Sequence, residues 1–480
     1  MSPASTLWTA TAAAKATGGV HHGAWSVSGI SIDTRTLHPG DLFVALSGPS
    51  FDGHDFAAEA LDNGASAIMV SRVPTALDAD VPMLLVSDTL RALEDLGRAA
   101  RARSSARIIG VTGSVGKTSV KEALKLVLGA QAPTTANDGS LNNHWGLPLS
   151  LARMPESARY GVFEMGMNHP GEIEPLSRMA RPDVAVVTAV EAVHKAHFDS
   201  VEGIADAKAE IFTGVVDGGI AVLNRDNHQF DRLARATKES GVGRIIDFGR
   251  HEDAVVRLIG ADTTATGSVV RALVDGDEQD YRLNVPGDHW VINSLCVLAA
   301  VVAVDGDISL AAQSLAEVIA PKGRGRRSDI DLRDGGTFGL IDDSYNASPV
   351  SMAASFAVLG GARIGPGGRR IAVLGDMLEL GDESALLHAA LLQPLRRNGI
   401  DLVFTAGPAM SHLFDALPAD MRGGHADDSK ALTPQVTAAV RAGDVVTVKG
   451  SAGSRMGVVV QALHALDVNQ GGAPGAGSGD

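Results

Sequence analysis

Arg107-Ile-Ile-Gly-Val-Thr-Gly113-Ser-Val-Gly116-Lys117-Thr118-Ser119-Val-Lys-Glu122 is the stretch on which the fold turns. Its first six residues form a β-branched, apolar run of strand length. From Lys117 to Leu128 apolar residues recur at helical spacing, and between the two lies a glycine-broken loop. Strand, tight loop and helix together begin a βα unit, and such units build a parallel sheet. The loop also carries chemistry. The backbone N–H groups of Gly113, Ser114, Val115 and Gly116, placed at a helix N-terminus, form a cradle for phosphate, with Lys117 as the neutralising cation and Thr118 as a Mg²⁺ ligand. Ser119 lies in the same first helical turn and is counted among the nucleotide contacts. The full phosphate-loop pattern has a glycine six residues before the lysine; Val111 stands there and Gly110 is one place off, so this loop is shortened.

Outward from that unit the same alternation continues. Strand candidates at Tyr160–Met165, Val184–Val190 and Ile220–Asn224 are separated by helical patterns, as a central doubly wound parallel sheet requires. Arg257 to Val285 reads as short β, and Trp290 to Val304 as helix. Before the loop, about 100 residues with runs such as Asp41-Leu-Phe-Val-Ala-Leu and Ala67-Ile-Met-Val make a small α/β unit, closed by a helical stretch from Asp88 to Arg103. After it, Pro321-Lys-Gly-Arg324-Gly-Arg-Arg is a basic, glycine-broken segment that reads as a hinge. Beyond it Phe338–Asp342, Arg370–Gly375, Asp401–Gly407 and Asp444–Gly450 alternate with helices in a second Rossmann-like sheet. The expectation is an α/β protein of three domains, 1–103, 104–320 and 321–470, with a disordered tail at 471–480 (GGAPGAGSGD).

Composition narrows the function classes. Lys and Arg number 41 against 56 Asp and Glu, so a net charge of −15 opposes binding to a polynucleotide, while leaving room for one nucleotide held locally. The single cysteine, Cys296, sits in an apolar run and reads as a buried small hydrophobe, which suits a reducing compartment. No stretch approaches the roughly 20 apolar residues of a membrane span, and no leader pattern opens the chain, so a cytoplasmic location without membrane insertion is expected.

Three further residues are candidates by position. Glu164 ends a strand beside the loop, His194 follows the next strand, and Lys208 lies in a helical pattern among Glu202, Asp206 and Glu210. Taken singly, a strand-end Glu is usually solvated, a lone His stacks or caps, and a Lys among acids makes exposed ion pairs worth about 0–1 kcal/mol.

Taken together with their surroundings, these residues resemble the Mur ligases, and in wording the branch that adds D-alanyl-D-alanine. The matches run through Ser31-Ile-Asp33-Thr-Arg35, Phe51-Asp-Gly-His-Asp-Phe56, Thr112 to Glu122, Leu141-Asn142-Asn143-His-Trp-Gly-Leu-Pro, Glu164-Met-Gly-Met-Asn-His-Pro-Gly-Glu-Ile, Gly287-Asp-His-Trp-Val-Ile-Asn293, Gly323-Arg324, Asp342-Asp343-Ser-Tyr-Asn346-Ala, Gly375-Asp-Met-Leu-Glu-Leu-Gly and Val448-Lys449-Gly-Ser. The resemblance implies an ATP-dependent amide-forming ligase using two Mg²⁺ ions. In it Lys117, Glu164, His194, Lys208 and Arg324 serve catalysis; Thr118, Glu164, His194 and Lys208 hold metal; and Lys208 is carbamylated, which turns a cation into an oxygen ligand suited to Mg²⁺. It further implies that Asn293 and Asn346 contact the base, Arg324 the γ-phosphate, and Asp343 the nucleotide side. Ser31, Asp33, Arg35, Asn142, Asn143, Lys449 and Arg455 would meet the UDP-N-acetylmuramoyl-tripeptide or D-alanyl-D-alanine, and the chain would act as a monomer. Asp288, Trp290 and Ala189 depart from the family's wording, and no Asp-Asn-Pro-Arg motif is present, which speaks against the ligase that adds the third residue. Two other readings stay open at this point: a related ligase such as a folylpolyglutamate synthase, and a phosphate-loop switch that hydrolyses nucleotide without making a bond.

Overall fold

The computed structural model describes residues 6–48, 50–75, 77–78, 80–192, 198, 200–333 and 335–471. The segment read as a disordered tail falls outside them from residue 472 onward. Three principal sheets follow one another along the chain, with helices packed on them, so the three-domain α/β architecture expected from the sequence is present.

The first sheet comprises β1 (Val20–His22), β2 (Gly29–Ser31), β3 (Asp41–Val44), β4 (Ala67–Val70) and β5 (Met83–Leu85), in the order β1-β5-β4-β3-β2. Strands β3 and β4 are buried along their whole length, and the apolar runs of β4 and of β3 after Asp41 are what strands covered on both faces require. Helix α1 (Thr89–Arg103) starts at Asp88, whose carboxylate accepts from Arg91 N at 2.9 Å. Its buried stripe of Ala92, Leu93, Leu96 and Ala100 has helical spacing and packs α1 against the short helix α3 (Gly146–Ala152).

The central sheet holds β6 (Arg107–Thr112), β7 (Thr134–Ala136), β8 (Tyr160–Glu164), β9 (Val184–Val187), β10 (Ile220–Asn224), β11 (Arg244–Gly249), β12 (Val256–Thr263), β13 (Ser268–Val274) and β14 (Asp277–Leu283). Its order is β7-β8-β6-β9-β10-β11-β12-β13-β14, parallel as far as β12 and then an antiparallel meander. The segment read as short β is therefore the continuation of the central sheet. Register fixes the site: Val111 lies opposite Glu164 and Thr112 opposite Val187, so the glycine loop leaves β6 between the carboxyl ends of β8 and β9. Helix α2 (Lys117–Gly129) follows at once from Gly116, in the left-handed region at φ +87°. Val120, Leu124, Val127 and Leu128 are fully buried on its inner face, each contributing about 1.5–3 kcal/mol relative to exposure, which holds the helix start rigid under the loop. Helix α5 (Asp288–Ala303) is apolar nearly all round and correspondingly buried; Cys296 is part of that core, its thiol pKa pushed up by burial.

The third sheet runs β15-β16-β20-β17-β18-β19, from β15 (Arg326–Asp331), β16 (Thr337–Asp343), β17 (Arg370–Gly375), β18 (Leu402–Ala406), β19 (Arg422–Ala426) and β20 (Val445–Lys449). All pairs are parallel except β15–β16. Here the sequence reading needs correction, because the basic segment taken as a hinge passes into a strand at Arg326. Only its glycine-rich first part turns, with Gly323 and Gly325 at φ +74° and +89°.

Candidate active site

The loop is fixed by the chain that follows β9. Gly113 has φ +146°, and a Cβ there would stand 2.0 Å from Thr188 Oγ1. The Thr188 hydroxyl donates to Val115 O at 2.6 Å, and Ser114 N donates to Ala189 O at 2.7 Å. Ser114 Oγ donates to Glu191 O at 3.1 Å and accepts from Glu191 N at 3.0 Å. Lys117 folds back on the loop, its ammonium donating to Gly113 O at 2.7 Å. Burial lowers the Lys117 pKa, the Glu164 carboxylate partly offsets this, and Arg324 adds to it.

Glu164 is buried at the end of β8, its oxygens divided between two donors. Thr118 Oγ1 donates to Oε2 at 2.8 Å and Asn142 Nδ2 to Oε1 at 2.7 Å. Asn137 clamps the Glu164 backbone from both sides, its amide donating to the carbonyl at 3.2 Å and its oxygen accepting from the N–H at 2.9 Å. Lys208 lies on α4 (Val201–Ala209) and is only 1% exposed, against the surface position its acidic neighbours suggest. Burial, and next the Lys117 charge, drive its pKa well below the ordinary lysine value, opposed by Glu210 and Glu164. Glu210 holds this region in place by accepting from Gly171 N at 2.6 Å, Ile173 N at 3.0 Å and Glu174 N at 3.2 Å. His194 lies outside the described residues.

Above the loop is a cavity of about 410 Å³ that reaches to the third sheet; Gly116, Lys117 and Asn293 line one side, Arg324, Asp343 and Asn346 the other. Ser114, Val115 and Ser119 also border it. Lys449, expected at a substrate contact, borders the same cavity and is engaged there, donating to Asp343 Oδ2 at 2.7 Å and Asn346 O at 3.0 Å. A second cavity, of about 430 Å³, opens past the carboxyl ends of β17, β18 and β19; Arg455, Lys430, Asp376, Asp428 and Val458 line it.

Other sequence candidates fall elsewhere. Asp33 and Arg35 pair with each other at 2.6 Å beyond β2, beside Ser31, and border neither cavity; the pairing lowers the Asp33 pKa, its largest cause being the Arg35 hydrogen bond. Asn142 serves Glu164, and Asn143 Oδ1 accepts from Gly146 N at 2.9 Å, capping α3. Asn137 and Thr188 were missed by sequence reasoning. Each acts across a long sequence gap, and no local pattern marks either.

A phosphate-cradling loop, a buried carboxylate beside a threonine hydroxyl and a cavity walled by two α/β sheets define a nucleotide-using enzyme of three α/β domains. The chain belongs to the Mur ligase family: residues 26–101 match "Mur ligase family, catalytic domain", 111–301 "Mur ligase middle domain" and 326–452 "Mur ligase, glutamate ligase domain". The "UDP-N-acetylmuramoyl-tripeptide--D-alanyl-D-alanine ligase" of Escherichia coli (strain K12) is 36% identical over 441 residues, spanning 92% of this chain and 94% of that protein. The Rickettsia prowazekii protein of the same name is 32% identical, over 90% of this chain and 94% of its own length. Among solved structures, MurF from Acinetobacter baumannii superposes with a TM-score of 0.82 at 28% identity, over 96% of this chain and 100% of that one. MurF ligase from Thermotoga maritima in complex with ADP gives 0.72 at 26% identity, over 91% and 97%.

Proposed function

We propose that this chain joins the terminal carboxylate of UDP-N-acetylmuramoyl-tripeptide to the amine of D-alanyl-D-alanine at the expense of ATP, in peptidoglycan precursor synthesis. The observation that carries this is the grouping at the loop: Lys117, Thr118 and Glu164 are in contact or close charge range, Lys208 is near enough for both charges to bear on its protonation, and Arg324 stands on the facing wall.

A carboxylate resists amines because it is anionic and its oxygen leaves poorly. ATP removes both obstacles: a carboxylate oxygen attacks the γ-phosphorus, the bond to ADP breaks, and an acyl phosphate results. The amine nitrogen then attacks the acyl carbon, phosphate leaves, and the nitrogen gives up a proton. For the first step Lys117 exchanges the Gly113 carbonyl for phosphate oxygens, while Arg324 meets the transferred group from the opposite side. Seating the third domain over the cavity keeps water from the acyl phosphate.

The Thr118 hydroxyl and Glu164 carboxylate, 2.8 Å apart, are hard oxygen donors that fit one Mg²⁺. His194 and carbamylated Lys208 would hold a second. Magnesium supplies charge neutralisation on the phosphate oxygens. Lys208 suits carbamylation because burial lowers its pKa and so favours the neutral amine, the form that adds to CO₂ with loss of a proton. Asn293 and Asn346 would contact the base and Asp343 the nucleotide side. The UDP end would lie on the first domain near Ser31, Asp33 and Arg35, and the dipeptide in the second cavity near Arg455. We place the domain limits at 1–103, 104–320 and 321–470. No described helix is long and apolar enough to cross a membrane, and a cytoplasmic monomer is the form proposed.

The test is to supply ATP, Mg²⁺, D-alanyl-D-alanine and UDP-muramoyl tripeptides carrying either diaminopimelate or lysine, and to weigh the product. The expected result is a pentapeptide nucleotide formed in step with ADP. ADP release that needs neither co-substrate would instead identify a switch.

A further inference from the structure

Lys121 is a buried cation that the ligation chemistry leaves without a task. It lies one turn beyond Lys117 on α2 with 0% of its surface exposed. Its ammonium donates to Asn137 O at 2.7 Å, Gly139 O at 3.0 Å and Glu122 Oε1 at 2.5 Å. An ammonium has three donors, and here all are matched, which is the condition for burying such a charge. Two of the acceptors are carbonyls of one loop, residues 137–143, so Lys121 pins that loop to the phosphate-binding helix.

The same loop reaches in two directions. Toward the phosphates, Asn137 and Asn142 hold the Glu164 backbone and carboxylate. Toward the third sheet, Ser140 Oγ accepts from the Tyr345 hydroxyl, and the Tyr345 ring carries the Arg324 guanidinium 4.4 Å from its centroid. Two arms therefore leave the segment that Lys121 holds, one ending at Glu164 against Thr118 beneath the phosphate loop and the other at Arg324 on the wall of the nucleotide cavity.

We propose that Lys121 and loop 137–143 form a positioning element that ties the placement of Glu164 to the seating of Arg324, with the Ser140–Tyr345 hydrogen bond as the latch between the central and third sheets. The proposal rests on the ligase reading of this cavity. Lys121, Ser140 and Tyr345 are positioning residues in it, acting through Glu164 and Arg324.

The test compares wild type, Ser140→Ala, Tyr345→Phe, their double variant and Lys121→Met in amide synthesis. It adds amide hydrogen exchange over 137–143 with and without ADP and Mg²⁺. Tyr345→Phe keeps the ring under Arg324 and removes only the latch. Ser140→Ala and Tyr345→Phe should each lower kcat about 3- to 10-fold, the scale of one hydrogen bond, with the tripeptide KM within about twofold and the double variant no worse than the weaker single. Lys121→Met should lower kcat at least about 10-fold and speed exchange across the loop. If it does not fold, the Ser140–Tyr345 cycle alone decides. Unchanged kcat in both singles, or losses that multiply in the double variant, would overturn the proposal while leaving the ligase reading intact. A wild type that makes no amide with any substrate would sink that reading instead. Exchange then decides the latch: nucleotide-induced protection of 137–143 that persists in both singles overturns it, and protection lost in both supports it.

Discussion

Gly113→Ala separates the shape of the phosphate loop from its charge. The added Cβ would stand 2.0 Å from Thr188 Oγ1 and 3.1 Å from Ala189 O, on a backbone with φ +146°. Holding an L-residue in such a region costs about 1–3 kcal/mol. Thr188 cannot turn aside freely, because its hydroxyl donates to Val115 O at 2.6 Å, and giving up a bond of that kind costs about 0.5–1.5 kcal/mol. The total, about 1.5–4.5 kcal/mol, is relieved most cheaply by the loop leaving its phosphate-cradling shape, since the strand before it and helix after it are buried. ADP affinity should therefore fall about 10- to 1,500-fold, at tenfold per 1.4 kcal/mol, in calorimetric titrations with Mg²⁺ present. Adding Thr188→Ala removes the colliding oxygen but not the backbone strain, so the double variant should recover part of the loss. A folded Gly113→Ala protein that binds ADP within about threefold of wild type would refute the reasoning, because that small a loss is under 1 kcal/mol.

Glu164→Gln preserves shape and removes charge, so ADP affinity without Mg²⁺ should hold while the gain on adding Mg²⁺ disappears; full enhancement in the variant would remove Glu164 from the metal. Lys208 has a folded-state pKa lowered from 10.5, mainly by burial, so in CO₂-free buffer the unfolded chain binds more protons than the folded one. The penalty is fully present below the lowered pKa and fades as pH rises to that of the unfolded lysine. Lys208→Met should thus raise the melting temperature near neutral pH, by an increment that shrinks toward pH ~10, yet abolish ligation; an increment independent of pH would contradict the burial argument. Wild-type activity should fall when bicarbonate is stripped and return when it is restored. Arg455→Ala should raise the KM for D-alanyl-D-alanine about 10- to 100-fold, the scale of a charge-assisted hydrogen bond, with the KM for ATP unchanged; a shift in the ATP KM instead would move the acceptor out of the second cavity.

Legibility from the sequence followed how each element is held. Strands β6, β8, β9, β10 and β17 are buried on both faces, and their apolar runs announce them. Strand β19, Arg-Gly-Gly-His-Ala, has no such run; it is an edge strand defined by backbone pairing, with the Phe404 ring 2.7 Å from where a Gly423 Cβ would be. Strand β7 is three residues long and β15 begins inside a basic segment, so neither offers a period to read. At the site, the loop residues were legible because strand, glycine and lysine are contiguous. The burial of Lys208 was not: three acidic neighbours, Glu202, Asp206 and Glu210, suggest an exposed helix face, and only the packing of α4 reveals a buried amine. Asn137 is less legible still, since its clamp on Glu164 spans 27 residues of chain.

The three departures from the family's wording show the same division from the other side. At Ala189 the loop uses only the backbone, the carbonyl that accepts from Ser114 N at 2.7 Å, which any residue supplies. Asp288, in the first turn of α5, turns to Arg250 beyond β11 and forms an ion pair there. Trp290 is 3% exposed and lends the cavity an edge of apolar wall. One turn on, on the same face of the helix, Asn293 lies against the loop, its oxygen 2.9 Å from where a Gly116 Cβ would be. Of these positions, Ala189 contributes backbone, Asp288 an exposed ion pair and Trp290 packing, whereas Asn293 turns its side-chain oxygen to the loop. On the nucleotide reading proposed above, hydrogen-bond discrimination of the base would fall to Asn293 and Asn346, which line the same cavity from the central and third sheets, and would be complete only with the third sheet seated over the loop.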